Sequence, residues 1–273
     1  MKEVPTLVKW AGGKKQLLNQ IKPLLPTKID NYIEPFVGGG AMAFYIISNF
    51  SPKKVILSDI NSELINLYNV VKSNPKELIK ELSKLKKLNN EKSFYKIRKK
   101  KYKEEQIIKR AARFIYLNKT CFNGLYRVNS GGQFNVPFAN YSNPAILNKE
   151  DLNSINILLK QSTIECHGFE DVLKTAQKGD FIYFDPPYYP LKKGKSFTKY
   201  AKGDFLDNEQ KNLALVFEQL DKMGCKLMLS NSDCSFIRDL YKNYKISTVQ
   251  ATRMINCNAS KRGKINEVIV TNY

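Results

Sequence analysis

A strand that runs into consecutive glycines and then into a helix limits this chain to few folds. Asn31-Tyr32-Ile33-Glu34-Pro35-Phe36 reads as a short strand, and Gly38-Gly39-Gly40 follows it. Ala41-Met42-Ala43-Phe44-Tyr45-Ile46-Ile47 then has the apolar spacing of a helix. Val55-Ile56-Leu57-Ser58 is apolar without alternation, as a strand covered on both faces must be, and it ends at Asp59. Strand, helix, strand is a βαβ unit, whose right-handed crossover sets its strands parallel. Ligands of such sheets sit outside the carboxyl ends of the strands.

The C-terminal half returns to the same alternation. Strands are expected at 181–184 and 226–230, helices near 208–223 and 236–241, and closing strands near 245–251 and 266–271. The middle differs. Leu78, Ile79, Leu82, Leu85 and Leu88 keep helical spacing with lysine on the opposite face, and Ile107, Ile108, Ala111, Phe114 and Ile115 repeat it. Residues 118–143 are rich in asparagine, glycine and aromatics, with Ser130-Gly131-Gly132 as a hairpin turn. The expected organisation is therefore a discontinuous catalytic domain, 1–69 and 149–273. A mainly helical insertion carrying a β-hairpin occupies 70–148.

Charge separates the middle further. The chain has 45 Lys and Arg against 25 Asp and Glu, a net +20, and between Lys72 and Arg113 stand 16 basic and five acidic side chains. A field of that size attracts a polyanion and speeds encounter with it. No apolar run is long enough to cross a bilayer, and Met1-Lys2-Glu3-Val4-Pro5 lacks a signal-peptide core, so a soluble cytoplasmic protein is expected. Five scattered cysteines without a C-x-x-C pair point to reduced thiols. A single histidine, His167, argues against a zinc site or a Ser-His-Asp triad, and no metal is expected.

Asp185-Pro186-Pro187-Tyr188 leaves the run Phe181-Ile182-Tyr183-Phe184 and brings together a carboxylate, a stiff backbone carbonyl and an aromatic face. Asp185 and the Pro186 carbonyl can accept from an exocyclic amino group, while Tyr188 stacks on the ring that bears it. Glycines at 38–40 admit a ligand close to the free N–H groups of a helix start, yet G-x-G-x-x-G is not matched, which disfavours a dinucleotide. Asp59 is placed to bind ribose hydroxyls. In Lys9-Trp10-Ala11-Gly12-Gly13-Lys14, Trp10 can stack on an adenosine and Lys14 can pair with a carboxylate. Phe122-Asn123-Gly124-Leu125-Tyr126-Arg127 interleaves ring, amide and guanidinium groups of the kind that read base edges, although a plain hairpin uses Asn-Gly equally well.

These blocks, in this order, resemble the Dam-type N6-adenine DNA methyltransferases of the D12 class. The resemblance lies in KWAGGK at 9–14, EPFVGGG at 34–40, LSDINSELINLYN at 57–69, RAARFIYLNKTCFNGLYRVNSGGQFNVPF at 110–138, GDFIYFDPPYYPL at 179–191, SFTKY at 196–200 and SNSD at 230–233. It implies a Rossmann-like methyltransferase sheet, mostly parallel with an antiparallel strand near the C-terminus. It also implies S-adenosylmethionine as cofactor, S-adenosylhomocysteine as product, and transfer to N6 of a flipped-out adenine in duplex DNA.

Carried over by position, Asp185, Pro186 and Tyr188 hold the target base. Trp10, Lys14, Phe36, Gly38, Gly40, Asp59, Phe169 and Asp185 bind the cofactor. Lys9, Phe122, Asn123, Leu125, Arg127 and Asn140 face the DNA, with Phe122 where a wedging tyrosine often stands. GATC is the leading site, although relatives reading it frequently carry arginine where this chain has Asn140. A restriction endonuclease acting separately is an implied companion. Alternatives are a methyltransferase for RNA or cytosine N4 on the same scaffold, or a non-catalytic basic DNA-binding protein.

Overall fold

The computed structural model describes residues 5–191, 205–252 and 264–273; the SFTKY block and Cys257 lie outside them. The described residues hold ten α-helices and seven strands. The first stretch holds α1 (Leu18–Ile21), β1 (Asn31–Glu34), α2 (Ala41–Phe50), β2 (Lys54–Ser58) and α3 (Ser62–Ser73). Then come α4 (Pro75–Lys86), α5 (Glu91–Lys99), α6 (Ile107–Thr120), α7 (Lys149–Leu159) and β3 (Ser162–Glu165). The remainder is α8 (Val172–Thr175), β4 (Phe181–Phe184), α9 (Asp207–Lys222), β5 (Lys226–Ser232), α10 (Ser235–Leu240), β6 (Lys245–Thr252) and β7 (Lys264–Thr271).

All seven strands form one sheet in the order β3-β2-β1-β4-β5-β7-β6. The pairs from β3 to β5 are parallel, and β7 runs antiparallel between β5 and β6. This is the mixed, mostly parallel α/β sheet that was expected. The order reverses between β1 and β4. That reversal opens a crevice at their carboxyl ends, where a ligand fits between loops that leave in opposite directions.

Strand alternation sends neighbouring side chains to two separate cores. Tyr32, Val55, Leu57, Phe181, Tyr183, Met228 and Ile269 join the larger cluster; Ile33, Ile56, Ile182, Phe184, Leu229 and Val268 join the smaller one with Leu213, Phe217 and Tyr241. The insertion brings no core of its own. Leu78, Leu82, Phe94, Ala111 and Ile115 belong to the same cluster as Phe44, Val70 and Tyr32. Residue 148 is the N-cap of α7, its side chain accepting from the Glu150 and Asp151 N–H groups.

Several elements escape the sequence reading: α1, α3, α5, α7, α8 and β3. β3 has only four residues and one buried position, Ser162, at the sheet edge. α5 buries only Phe94 and Ile97 among charged neighbours. Among the described residues no helix is long and apolar enough to cross a membrane.

Candidate active site

Three strand ends build the site. β1 delivers Phe36 and the glycine turn, β2 delivers Asp59, and β4 delivers the Asp185–Tyr188 segment. Gly38 and Gly40 have φ of 46° and 74°, a left-handed conformation that side chains adopt only under strain. Space is short as well: a Cβ at Gly38 would lie 2.7 Å from Trp10 Nε1, and one at Gly40 would lie 2.5 Å from the Tyr68 hydroxyl. That hydroxyl donates to the Gly38 carbonyl at 2.9 Å, and the Val37 N–H donates to the Ser58 carbonyl at 2.9 Å. The turn is therefore clamped between a buried tyrosine and the end of β2.

Asp59 completes the clamp. Its two oxygens accept from the N–H groups of Gly38 at 3.1 Å and Asn61 at 2.9 Å. Burial nonetheless pushes its carboxyl up to about 6, against the lowering effect of those donors. A carboxylate has about four lone-pair sites. Backbone groups take part of that capacity, and what remains suits a ribose hydroxyl.

Asp185 lies across the crevice and forms an ion pair with Lys14 at 2.6 Å. Lys14 is only 2% exposed; its ammonium also donates to the Gly12 carbonyl at 2.6 Å and sits 4.7 Å from the Tyr188 ring centroid. Burial raises the Asp185 carboxyl to about 6, with Lys14 opposing the shift. Behind it, Glu34 is 2% exposed and accepts from the Tyr32 hydroxyl at 2.7 Å. Burial carries the Glu34 carboxyl well above its ordinary range, with the Tyr32 hydroxyl opposing the shift.

A polar scaffold missing from the sequence reading holds the Asp185–Tyr188 turn from beneath. Gln210 Nε2 donates to the Pro187 carbonyl at 3.0 Å, which holds the peptide between Pro187 and Tyr188. Asn231 Nδ2 donates to Gln210 Oε1 at 2.9 Å, while Asn231 Oδ1 accepts from the Tyr189 N–H at 3.1 Å. Ser232 Oγ donates to the Tyr189 carbonyl at 2.6 Å, and the Tyr188 hydroxyl donates to Glu267 Oε2 at 2.8 Å. Gln210 and Asn231 are fully buried. A polar residue inside an apolar run, as Asn231 is in β5, was the available signal.

The predicted aromatic residues divide between two places. Phe36 stacks on Phe169 with centroids 5.5 Å apart, and Phe205 meets both edge-on. Trp10 instead packs on Tyr126 at 5.8 Å and Phe114 at 6.5 Å, joining the glycine turn to the loop after α6. That loop gathers the remaining predicted residues. Asn123, at φ 55°, donates its N–H to the Tyr141 hydroxyl at 3.2 Å, and Lys9 Nζ lies 4.9 Å from the Tyr141 ring centroid. Leu125 is half-buried, and its carbonyl accepts from Cys121 Sγ at 3.2 Å. Arg127 Nε donates to Asn135 Oδ1 at 2.7 Å across the hairpin, which is pinned by the Val128–Phe134 bridge. Phe122 and Asn140 are exposed, the latter at φ 50°.

The arrangement offers anionic acceptors at two strand ends, one buried cation, paired rings and a rigid carbonyl. That set fits a cationic adenosyl amino acid: a carboxylate for the ribose, an ammonium for the amino-acid carboxylate, and rings for the purine.

A family model described as D12 class N6 adenine-specific DNA methyltransferase matches residues 10–255. The chain is 48% identical to the Type II methyltransferase M.MjaIII of Methanocaldococcus jannaschii, over 99% of its own length and 100% of that protein's. It is 43% identical to the Type II methyltransferase M1.LlaDCHI of Lactococcus lactis subsp. cremoris, covering 97% and 94% of the two chains. It is 36% identical to the DNA adenine methylase of Serratia marcescens, covering 98% of each.

Proposed function

The chain belongs to the D12 class N6 adenine-specific DNA methyltransferase family, and from that membership we propose that it methylates an adenine flipped out of a short duplex site, GATC. As a member it is an S-adenosylmethionine-dependent enzyme that acts on adenine in DNA. The observation that carries the finer reading is the convergence of Asp185, Lys14 and the Asp59-bound glycine turn at the reversal of strand order.

Asp59 would hold the ribose hydroxyls, Lys14 the amino-acid carboxylate, and Phe36 with Phe169 the adenine of the cofactor. The bound cofactor supplies an electrophilic methyl group on a sulfonium and leaves as S-adenosylhomocysteine. The protein's task is the amine. Adenine N6 shares its lone pair with the ring, so it attacks poorly until the nitrogen becomes tetrahedral. Asp185 and the Pro186 carbonyl accept its two N–H donors and favour that geometry, while Tyr188 offers a face to the base. Gln210, Asn231, Ser232 and Glu267 hold these groups in place before the substrate arrives, so little reorganisation is needed on reaction.

Residues 70–148 form the target-recognition segment in this reading, and 1–69 with 149–273 the catalytic part. Lys9, Asn123, Leu125, Arg127 and Asn140 lie at the DNA, and Phe122 enters the duplex. The relatives named DNA adenine methylase support GATC. Those named Type II methyltransferase support a separately acting restriction endonuclease as companion, with both enzymes on DNA in the cytoplasm. The test is incubation with labelled cofactor and unmethylated plasmid, followed by mapping of the modified bases. Label on N6 of adenine within GATC is expected; label at another motif overturns the site, and label on cytosine overturns the reaction.

A further inference from the structure

Asn118 has no part in the chemistry above, yet it lies at the join between the cofactor segment and the recognition loop. It sits on α6 and is 1% exposed. Its Oδ1 accepts from the Lys9 N–H at 2.8 Å, and its Nδ2 donates to the Lys9 carbonyl and the Gly124 carbonyl, each at 2.8 Å. A side-chain amide that both accepts from and donates to one residue's backbone imitates a paired strand, and it fixes the peptides on both sides of that residue.

Gly124 closes the join from the opposite direction. Its φ is +64°, and a Cβ there would lie 2.5 Å from Lys9 Cβ. The Lys9 side chain crosses this glycine to reach the Tyr141 ring, whose hydroxyl in turn accepts from Asn123. Lys9 comes from the N-terminal segment that continues into Trp10 and Lys14, while Asn123 and Tyr141 lie more than a hundred residues later. Burying an amide is costly unless its hydrogen bonds are made. Here the bonds are made, and they fix the relative position of two segments distant in sequence.

We propose that Asn118 is a positioning residue for sequence readout, holding Lys9 and the loop at 122–127 as a single reading unit. The inference rests on the assignment of Lys9 and that loop to the DNA interface.

The experiment is a discrimination map on the site found by methylation mapping. kcat/KM is measured on the cognate duplex and on duplexes altered one base pair at a time, for wild type, Lys9→Ala, Asn118→Ala and Gly124→Ala. Affinity for S-adenosylmethionine is measured alongside by calorimetry. Asn118→Ala and Gly124→Ala should each lower discrimination at least about tenfold at the base pair that Lys9→Ala relaxes, with cofactor affinity within about twofold of wild type. Gly124→Ala displaces the same lysine while leaving the Asn118 side chain in place, so it carries the comparison if Asn118→Ala fails to fold. A purely structural role would depress all duplexes equally and leave the ratios unchanged; unchanged ratios in the folded variants overturn the proposal. If Lys9→Ala itself relaxes nothing, the DNA assignment of Lys9 fails. An intact Lys9 effect beside unchanged Asn118 and Gly124 ratios sinks the positioning role alone.

Discussion

Replacing Lys14 with methionine isolates the electrostatic cost of the Asp185 carboxylate. The two charges stand 2.6 Å apart, with side chains 3% and 20% exposed. At an effective dielectric of 20, that separation gives roughly 6 kcal/mol of attraction. Desolvation still wins, since the Asp185 carboxyl is raised from 3.8 to about 6. The folded state therefore binds the proton more tightly than the unfolded chain does. The stability this contributes is full below pH 4 and is lost as pH rises through 6, a total of about 3 kcal/mol.

At pH 8, Lys14→Met removes the group that holds the Asp185 carboxyl down, so the buried carboxylate must stay unpaired or take up a proton, which costs about 3 kcal/mol. At pH 5 Asp185 is mostly protonated before the substitution, so the change should be under about 1 kcal/mol. The double variant Lys14→Met/Asp185→Asn removes both charges and should recover most of the loss at pH 8. Urea unfolding of the four proteins at both pH values measures this directly, as a coupling energy of at least about 2 kcal/mol at pH 8 that collapses at pH 5. Equal costs for Lys14→Met at the two pH values, or additive single changes at pH 8, would refute the reasoning.

Asp185→Ala should abolish methyl transfer while leaving DNA affinity largely intact; full activity rejects the role assigned to the carboxylate. The wild-type single-turnover rate should fall as pH drops below about 6, because protonated Asp185 no longer accepts from the amine. A flat profile from pH 8 to pH 5 contradicts that. Arg127→Ala should cost about 1–3 kcal/mol of discrimination at one base pair, read from methylation rates on single-substituted sites; unchanged ratios remove it from the readout. DNA affinity should weaken roughly a thousandfold between 50 and 200 mM salt if about six phosphates are contacted. An affinity independent of salt shows that the lysines of 72–113 merely face solvent.

The parts of this fold that were legible in sequence are those with unbroken patterns. The β1-α2-β2 unit, β4, β5, α4 and α6 announce themselves through long apolar periodicities and a glycine turn, and the strands buried on both faces leave no competing period. β3 and α5 offer too few buried positions for a pattern to form: one in β3, two in α5. Within the site, charged residues beside glycine turns and at strand ends stood out; Lys14 and Asp185 meet as an ion pair, and Asp59 holds the glycine turn after β1. Gln210, Asn231, Glu267 and Asn118 did not stand out, because their significance lies in what they touch. Each contact joins residues far apart in sequence, 21 apart for Asn231 to Gln210 and 109 for Asn118 to Lys9, and no local spacing encodes such a pair. Trp10 was visible as the single tryptophan, but its neighbours Phe114 and Tyr126 were not foreseeable from the motif around it.

That α4, α5 and α6 share one apolar interior with the strands bears on how new specificities arise here. A cassette cut at 70 and 148 and moved into another scaffold would expose Leu78, Leu82 and Phe94 on leaving and strip cover from Phe44 and Tyr68 behind it. Wholesale exchange of this segment is thus penalised in this architecture. On the proposed reading of its loops, target preference is expected to change by point replacement at the loop tips, with the interior beneath them left as it is.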